Sequence, residues 1–282
     1  MPAAVMNQLQ EWGHRVDALE PQRTITCLSD LLNCHYDALV LKTVSDGPGL
    51  SILEAAEAVG IPTINHSQAI RRVRDKAVAA ALAYAQGIPT PTTYFITSPS
   101  LLNQVPVEQF PLVVKPSHGS SCRDIYYCDN PSDVAHLPID TSYAGSWLAQ
   151  HYEENVGFDT KLYVAGTEVY AVAKRSPLHP ELDVEKRPIP VAPALRNLAL
   201  RVGALFGLDI YGLDVVETAR GPVVVDVNDF PSFGLIPEAM TQVAQRILDI
   251  AQRSKQQYLQ QPELMQRQDK AHLSLIVPQT CA

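Results

Sequence analysis

The sequence of 282 residues lacks most of the features that mark specialised classes of protein. No apolar run approaches the roughly 18 residues of a membrane-spanning helix, and the first residues have no signal-peptide pattern. Five cysteines without paired spacing argue against a disulfide framework and favour a reduced, cytoplasmic protein. The formal net charge of −8 gives no sign of a basic surface for nucleic acid. We therefore expect a globular protein without membrane or nucleic-acid partners.

Motifs with a fixed spacing are missing as well. The sequence contains no Walker loop, no dinucleotide fingerprint and no persuasive Ser/His/Asp or Cys/His arrangement for covalent catalysis. What it does contain is an ordinary globular balance of 46% apolar and 18% charged residues, without internal repeats or low-complexity blocks. Any chemistry must therefore come from side chains that the fold brings together.

Helical and strand patterns alternate over the first seventy residues and predict a small parallel α/β lobe. The pattern opens on a helix, so the strand that would normally precede it is expected to be absent. After the proline-rich linker IPTPTTYF, further strands, a hairpin around Gly166, a loop from Ser176 to Pro193, a helix, a second hairpin and a last helix follow. We predict lobes over residues 1–70, 71–147 and 148–262, and a loosely attached tail over 263–282.

The second hairpin, YGLDVVETARGPVVVDVNDFPSFG, carries acidic residues inside apolar strands. Strand alternation puts Asp226 and Asn228 on one face. If residue numbers sum to about 440 across the hairpin, Asp214 lies opposite Asp226, and two carboxylates that close repel unless a cation or proton intervenes. This set of oxygens suits Mg²⁺ completed by phosphate. The alternative is that Asp214 faces a lysine or arginine and Asn228 caps a turn.

Two lysines and a loop of small residues add a phosphate-binding pattern. Lys115 ends the strand PLVVK, where its ammonium group is placed to contact phosphate as a point charge. The loop SHGSSCR follows, and its backbone amides and hydroxyls, from Ser117, Gly119 and Ser120, are available to cover phosphates. Lys76 lies near the start of a helix, and its alternative role is that of a solvated helix residue.

The segments RVRDK…GIPTP, PLVVKP, LAQHYE…GFDTKLYVAG, GLDIYGLDVVET and GPVVVDVNDFPSFG, in this order and spacing, resemble ATP-grasp enzymes. The resemblance is strongest to the RimK-like branch, which joins an amine to a carboxylate, and it covers roughly residues 35–250. It implies an ATP-grasp fold of the α/β class, in which a small N-terminal lobe precedes two α+β lobes that clamp ATP. It also implies ATP and Mg²⁺ as cofactors, with two ions expected and Mn²⁺ as a substitute.

The resemblance implies a role for each member of a set of residues. Two lysines, a hinge whose backbone meets adenine and an acid near the ribose contact the nucleotide: Lys76, Lys115, Gln150, His151, Tyr152 and Asp159. The metal ligands are Asp214, Asp226 and Asn228. Lys161 is directed toward the phosphates, and Arg175 ends a strand near the cleft; these two are the candidate catalytic residues.

Several positions depart from the RimK-like pattern. His151 replaces the usual hinge glutamate, Asp226 replaces the commoner glutamate ligand, and the phosphate-covering loop has the single glycine Gly119. After Arg175 the segment SPLHPELDVEKRPIP does not reproduce the NLHRGG-like stretch of the family.

KLYVAG, VAKRSPL and DVNDFPSFG also resemble inositol trisphosphate kinases, another ATP-grasp branch. This second resemblance makes Lys42, Lys174 and Ser232 candidates for contacting the substrate. The alternatives are that Lys42 reaches water at a strand end, and that Lys174 and Arg175 form an ordinary surface pair.

We predict an ADP-forming carboxylate–amine ligase that works through an acylphosphate, because ligases dominate the wider branch. The alternatives are a kinase that phosphorylates a polyol such as an inositol phosphate, and an ATP-binding module without catalysis. The expected substrates are small-molecule or peptide carboxylates and amines, and relatives of this kind lead us to expect a homo-oligomer.

Overall fold

The computed structural model describes residues 2–31, 33–42, 47–119, 124–138, 145–259 and 271–277, with the backbone alone for residues 254–259. The described chain forms three sheets, one in each of three lobes. No helix within these described ranges is long and apolar enough to cross a membrane.

The N-terminal lobe is a parallel α/β sheet, as the alternating pattern predicts. Its strands are β1 (Arg15–Leu19), β2 (Ala38–Leu41), β3 (Thr63–Ile64) and β13 (His272–Ile276). They lie in the order β1-β13-β2-β3, and every neighbouring pair is parallel. Helices α1 (Pro2–Glu11) and α2 (Leu50–Ala58) pack against β1 and β2 respectively.

The prediction of a loose tail after residue 262 is wrong for the part of it that the structure describes. β13 is an inner strand, and its residues Leu273 and Ile276 are completely buried between β1 and β2. It pairs in parallel with β1 on one side and with β2 on the other. The two early strands of this sheet are therefore joined by a strand from near the other end of the described chain.

Two helices follow β3, α3 (Ser67–Arg74) and α4 (Lys76–Ala85), and Lys76 lies at the start of the second, as the sequence predicts. Asp75 separates them because its backbone is extended and its carboxylate accepts two hydrogen bonds from the first turn of α4. His66 caps α3, and its side chain accepts a hydrogen bond from the N–H of Gln68. The break places Lys76 at the start of α4, where its side chain reaches the C-terminal lobe.

The central lobe is an antiparallel sheet of β4 (Thr93–Ile96), β5 (Leu112–Pro116), β6 (Tyr126–Cys128) and β7 (Trp147–His151). The strand order is β4-β7-β5-β6. The last residues of β5 therefore lie beside the first residues of β7, and the phosphate-covering loop that follows β5 starts at that edge.

The C-terminal lobe is a five-stranded antiparallel sheet with the order β10-β9-β8-β11-β12. Its strands are β8 (Phe158–Ala165), β9 (Glu168–Arg175), β10 (Arg187–Ile189), β11 (Ile210–Thr218) and β12 (Gly221–Asp229). The predicted loop between residues 176 and 193 thus contains one further strand, β10, which pairs with β9. Helix α5 (Pro193–Phe206) packs on this sheet, and α6 (Ala239–Leu259) contacts both β8 and the N-terminal lobe.

The predicted register of the second hairpin is confirmed. Asp214 of β11 pairs directly with Asp226 of β12, and Gly212 pairs with Asn228. A bulge between Asp214 and Val215 then shifts the pairing by one residue toward the turn. The two acids consequently face each other across the hairpin.

A buried amide joins the N-terminal lobe to the C-terminal lobe. Asn65 follows β3 and is completely buried. Its Oδ1 accepts hydrogen bonds from the N–H groups of Asp209 (2.8 Å) and Ile210 (2.9 Å), and its Nδ2 donates to the carbonyl of Ile210 (2.7 Å). One hydrophobic cluster also spans this junction, since Val16 and Leu273 belong to the same core as residues of β8 and α6. The lobes are therefore packed together as well as linked by the chain.

Candidate active site

A cavity of about 430 Å³ opens between the central and C-terminal lobes, within the range typical of small-molecule sites. It brings together most of the residues that the sequence singles out: Lys76, Lys115, Gly119, Gln150, His151, Tyr152, Asp159, Lys161, Lys174, Asp214, Asp226 and Asn228. The predicted residues that do not line it are Ser117, Arg175, Ser232 and Lys42. Ser120 lies outside the described residues.

The proposed metal ligands converge at the hairpin. Asp214 and Asp226 are cross-strand partners, and the side-chain amide of Asn228 donates to Asp214 Oδ2 at 3.1 Å. Within the described ranges no group of three or more His, Cys, Asp or Glu side chains is arranged to hold a metal. Two carboxylates and one amide oxygen form a partial shell of hard ligands, the kind that suits Mg²⁺ when phosphate oxygens and water complete it. The donor set therefore fits the expected ion.

Three lysines neutralise these acids. Lys161 Nζ lies 3.1 Å and Lys174 Nζ 2.7 Å from Asp214, and Lys76 Nζ lies 3.1 Å from Asp226. Burial alone would raise the pKa of Asp214, but the two adjacent ammonium groups lower it well below its usual value. Asp214 thus does face lysines, as the alternative interpretation of the sequence held, and it does so inside the cavity.

Lys115 brings a further positive charge from the central lobe. Its side chain is buried, and its Nζ donates to the carbonyl of Val225 on β12 at 2.8 Å. The strand-end position predicted for it is confirmed, because β5 ends at Pro116. Since Val225 precedes Asp226, the ammonium group sits within reach of whatever binds the acids.

The phosphate-covering loop is fixed where it leaves β5. Ser117 is completely buried, and its hydroxyl lies 2.6 Å from Ser146 Oγ and 2.9 Å from His118 Nδ1. These contacts give Ser117 a structural role in place of a direct contact with ligand. Gly119 lines the cavity with a φ of +103°, a conformation that favours glycine.

The hinge lies at the other end of the cavity. The backbone N–H groups of His151 and Tyr152 donate to the carbonyls of Thr92 (2.9 Å) and Pro111 (2.8 Å). These two donors are therefore engaged within the protein, and a base at the hinge would meet other backbone groups there. The Nδ1 atom of His151, the residue that replaces the usual glutamate, is hydrogen-bonded to the carbonyl of Gln109 at 2.8 Å. This contact fixes the hinge to the segment before β5.

Asp159 lies between the hinge and the proposed metal ligands. Burial raises the pKa of Asp159, while Lys174 and a hydrogen bond from Ser176 counteract this effect. Lys174 Nζ is 3.7 Å from Asp159 and also contacts Asp214, so it joins the two acids. Lys174 therefore lies at the centre of the cavity's charged groups, whereas the sequence suggests for it only a contact with the substrate.

Arg175 and Ser232 lie away from this centre. Successive residues of a strand point to opposite faces, and β9 directs Lys174 into the cavity. Arg175 is half exposed and pairs with Asp183 at 3.6 Å, while Ser232 is exposed after the end of β12. The structure therefore does not bring these two residues together with the predicted metal site.

Lys42 belongs to an ion cluster at the junction of the lobes. Burial lowers the pKa of Lys42, and the negative charge of Asp229 partly counteracts this effect. Asp229 is held by Arg74 through two hydrogen bonds of 2.8 and 3.1 Å, and both side chains are buried. Lys42 therefore does not simply reach water, although it does not line the cavity.

One set of cavity residues was missed by the sequence analysis. Ser176, Pro177 and Leu178 lie just after β9 and line the cavity beside the hinge. His179, the next residue, shares a 2.8 Å hydrogen bond with the Tyr152 hydroxyl. The departure from the NLHRGG-like stretch was the available signal, but a contact between residues 27 positions apart has no local pattern.

Comparison with known proteins identifies the family. The family model described as the RimK-like ATP-grasp domain matches residues 73–251, more than half of the chain. The chain belongs to the RimK-like ATP-grasp family. The matched region begins before Lys76 and ends after Asn228. It therefore contains every residue that lines the cavity.

Curated relatives of this RimK-like protein carry ligase names. A "Probable alpha-L-glutamate ligase" of Sodalis glossinidius (strain morsitans) is 29% identical over 252 residues, which is 79% of this chain and 82% of the relative. One of the same name from Thioalkalivibrio sulfidiphilus (strain HL-EbGR7) is 27% identical over 268 residues, covering 86% and 88%.

Solved structures agree on the fold. A RimK domain ATP-grasp protein from Sphaerobacter thermophilus DSM 20745 has a TM-score of 0.68 at 18% identity, covering 89% of this chain and 94% of that one. The D-cycloserine synthetase DcsG has a TM-score of 0.67 at 19% identity, covering 90% and 94%. The predicted ATP-grasp fold is confirmed, and with the ligase relatives the chain is an ATP-dependent carboxylate–amine ligase. The kinase alternative is not favoured.

Proposed function

We propose that this RimK-like ligase activates a carboxylate with ATP in the cavity between its central and C-terminal lobes and joins it to an amine there. The observation that carries the proposal is the convergence of Asp214, Asp226 and Asn228 with lysines from both lobes. Glutamate is the amino-acid substrate that we propose, because the curated relatives are named as glutamate ligases, and the test below includes partners for either its amine or its carboxylate. The second substrate is a small molecule or a peptide.

The chemistry takes place in two steps. An oxygen of the carboxylate attacks the γ-phosphorus, the bond from that phosphorus to the β–γ bridging oxygen breaks, and ADP leaves. The amine nitrogen then attacks the carbonyl carbon of the acylphosphate, the C–O bond to phosphate breaks, and the nitrogen loses a proton. The products are an amide, ADP and phosphate, and no side chain of the protein needs to form a covalent bond.

The side chains have complementary roles in this proposal. Asp214, Asp226 and Asn228 would hold Mg²⁺, two ions in all, which would neutralise charge on the β- and γ-phosphates. Lys76 and Lys115 reach the cavity from the central-lobe side, while Lys161 and Lys174 reach it from the C-terminal sheet. Once triphosphate is present, the ammonium groups exchange their partners for phosphate oxygens and orient the transferred group; the partners exchanged are carboxylates for Lys76, Lys161 and Lys174 and a backbone carbonyl for Lys115.

The proposal is tested by ADP release against a substrate panel. ADP formation that requires glutamate together with a second substrate, either an amine or a carboxylate, with an amide detected by mass spectrometry, supports it. ADP formation with a polyol alone would instead support a kinase, and nucleotide binding without turnover would support a module without catalysis.

Asp226→Ala tests the metal assignment within the same assay. Loss of this ligand should lower Mg²⁺-dependent turnover by at least about 100-fold, since metal stabilisation of transition-state charge contributes several kcal/mol. The thermal midpoint should stay close to that of the wild type, because Asp226 lies at the cavity surface. Unchanged turnover in a folded Asp226→Ala variant would remove this residue from the site.

A further inference from the structure

The loop after β9 closes one end of the cavity. Residues 176–184 leave the end of β9, and Pro177 and Leu178 line the cavity next to the hinge. The lysines and acids lie at the opposite end, around Asp214. The loop is also attached to the ribose-side acid, because Ser176 hydrogen-bonds Asp159. It therefore borders the end of the cavity where the base of a nucleotide would lie.

A polar chain joins this loop to the hinge. The hydroxyl of Tyr152 lies 2.8 Å from His179 Nε2, and His179 Nδ1 lies 3.2 Å from Glu181 Oε1. A carboxylate only accepts, so neutral His179 carries its proton on Nδ1 and accepts through Nε2 from the tyrosine. Burial raises the pKa of Tyr152, so its hydroxyl keeps the proton that it donates.

Neighbouring contacts hold the same arrangement. Asn155 Nδ2 lies 3.5 Å from the Tyr152 hydroxyl, and Asn155 Oδ1 accepts from the N–H of Gly157 at 2.8 Å. Leu182, further along the loop, packs directly on Gly157, where an added Cβ would lie 2.5 Å from Leu182 Cδ1. The loop thus rests on the segment that follows the hinge, and His179 lies at the centre of that contact.

We propose that His179 is a positioning residue for nucleotide binding, which through Tyr152 holds Pro177 and Leu178 against the base and so sets the affinity for the adenosine part of ATP. The inference rests on the proposed function, since it takes the base to lie at the hinge. Its distinctive consequence is a separation of effects. Loss of His179 weakens adenosine recognition and leaves recognition of the triphosphate unchanged.

Calorimetric titration of ADP and of magnesium tripolyphosphate tests the separation. For His179→Ala and Tyr152→Phe we expect the Kd for ADP to rise about three- to tenfold, as for the loss of one hydrogen bond between uncharged groups. The Kd for magnesium tripolyphosphate should not change. In turnover assays the KM for ATP should rise by the same factor, while kcat falls by less than KM rises.

Two further variants test whether the residues act through each other. The double variant His179→Ala, Tyr152→Phe should bind ADP no more weakly than the weaker single variant, because both changes remove the same contact. His179→Gln, which keeps an acceptor at similar reach, should recover most of the affinity. Glu185→Ala, an exposed change directly after this loop, is the matched control and should bind ADP as the wild type does.

The outcomes separate this inference from the proposed function. If His179→Ala binds ADP as tightly as the wild type, the inference is overturned, and the ligase proposal stands. Equal weakening of ADP and tripolyphosphate, or additive effects in the double variant, also overturns it by assigning His179 a general structural role. If the wild-type protein binds neither ADP nor ATP, the proposed function fails, and this inference fails with it.

Discussion

The N-terminal and C-terminal sheets are built from the chain in opposite ways. In the C-terminal lobe, five antiparallel strands come from one continuous stretch, residues 158–229, and two long hairpins supply most of the pairing. In the N-terminal lobe, four parallel strands are drawn from residues 15–64 and 272–276. The C-terminal sheet, which contains the proposed metal ligands, is therefore built from segments that are close in sequence. The N-terminal sheet depends on one strand that is far in sequence from the strands it pairs with.

This difference explains what the sequence reveals about the fold. A hairpin is specified by two apolar runs and a short turn, so the pairing of Asp214 with Asp226 is predictable by counting residues. β13 has five residues, HLSLI, and no adjacent partner to fix its direction or its place. Both strands that pair with it lie more than 200 residues earlier, which is why the same method predicts a tail there.

The candidate site shows the same limit on a smaller scale. Lys115 is predictable because it ends a strand and Lys76 because it lies near the start of a helix, whereas Lys161 is predicted through the family resemblance alone. The choice between Lys174 and Arg175 depends on which face of β9 meets the cavity, and a shift of one residue reverses it. The contact between Tyr152 and His179 arises only when a loop folds back on the hinge.

Removal of residues 271–282 should have the largest effect, because it takes a strand from the N-terminal sheet and none from the C-terminal sheet. The N-terminal sheet would lose its inner strand, with Leu273, Leu275 and Ile276 all buried there. Each such side chain contributes about 1.5–3 kcal/mol on burial, so we expect this lobe to unfold. Limited proteolysis should cut the first seventy residues rapidly. Full protection of that region would contradict the role assigned to β13.

A point substitution sharpens the same test. Leu275→Ala should cost about 2–5 kcal/mol of unfolding free energy, whereas the volume-conserving Leu275→Met should cost less than about 1.5 kcal/mol. Urea unfolding measures both. Equal and small effects in the two variants would mean that the strand contributes little to the core.

Asn65 tests the junction between the two differently built lobes. Asn65→Ala would leave two N–H groups and one carbonyl of residues 209 and 210 without their buried partner. We expect a loss of about 3 kcal/mol in the free energy of unfolding, because each buried unsatisfied group costs about 1–3 kcal/mol. Asn103→Ala, which changes an exposed asparagine, is the control and should stay within about 0.5 kcal/mol of the wild type.

Gly203 tests the contiguous half alone. In Gly203→Ala the new Cβ would lie 2.1 Å from the hydroxyl of Tyr211, which donates to the carbonyl of Ala199. Helix α5 would have to move away from β11, and we expect a cost of about 1–3 kcal/mol in thermal unfolding. If the N-terminal lobe keeps its resistance to proteolysis in this variant, the two lobes respond separately; an unshifted midpoint would argue against the close packing.

The smallest effect that we expect is on the stability of the N-terminal sheet at low pH. Asp17 on β1 is bonded to His272 Nε2 at 2.7 Å, and it also faces Arg15 and Tyr36. Burial opposes ionisation, but these partners lower the pKa of Asp17 below 3.8. Its contribution is therefore complete above that value and is lost as pH falls through the lower, folded value.

We expect the stability of the wild type to decline more steeply below about pH 4 than that of Asp17→Asn, by less than about 1 kcal/mol for this partly exposed pair. Urea midpoints at pH 3 and pH 6 give the comparison. A parallel decline in the two proteins would show that other acids dominate in that range.

The irregular step between Asp214 and Val215 protects the acids from changes at the far end of their hairpin. Asp214 is aligned by Lys161 on one side and by Asp226 on the other, and both partners lie before the step. From Val215–Val224 to Thr218–Gly221 every pair keeps the same one-residue offset, up to the turn at Ala219 and Arg220. We therefore expect a loop grafted into that turn to leave the spacing of the two carboxylates as it is, so the turn offers a place to attach a reporter away from the cavity.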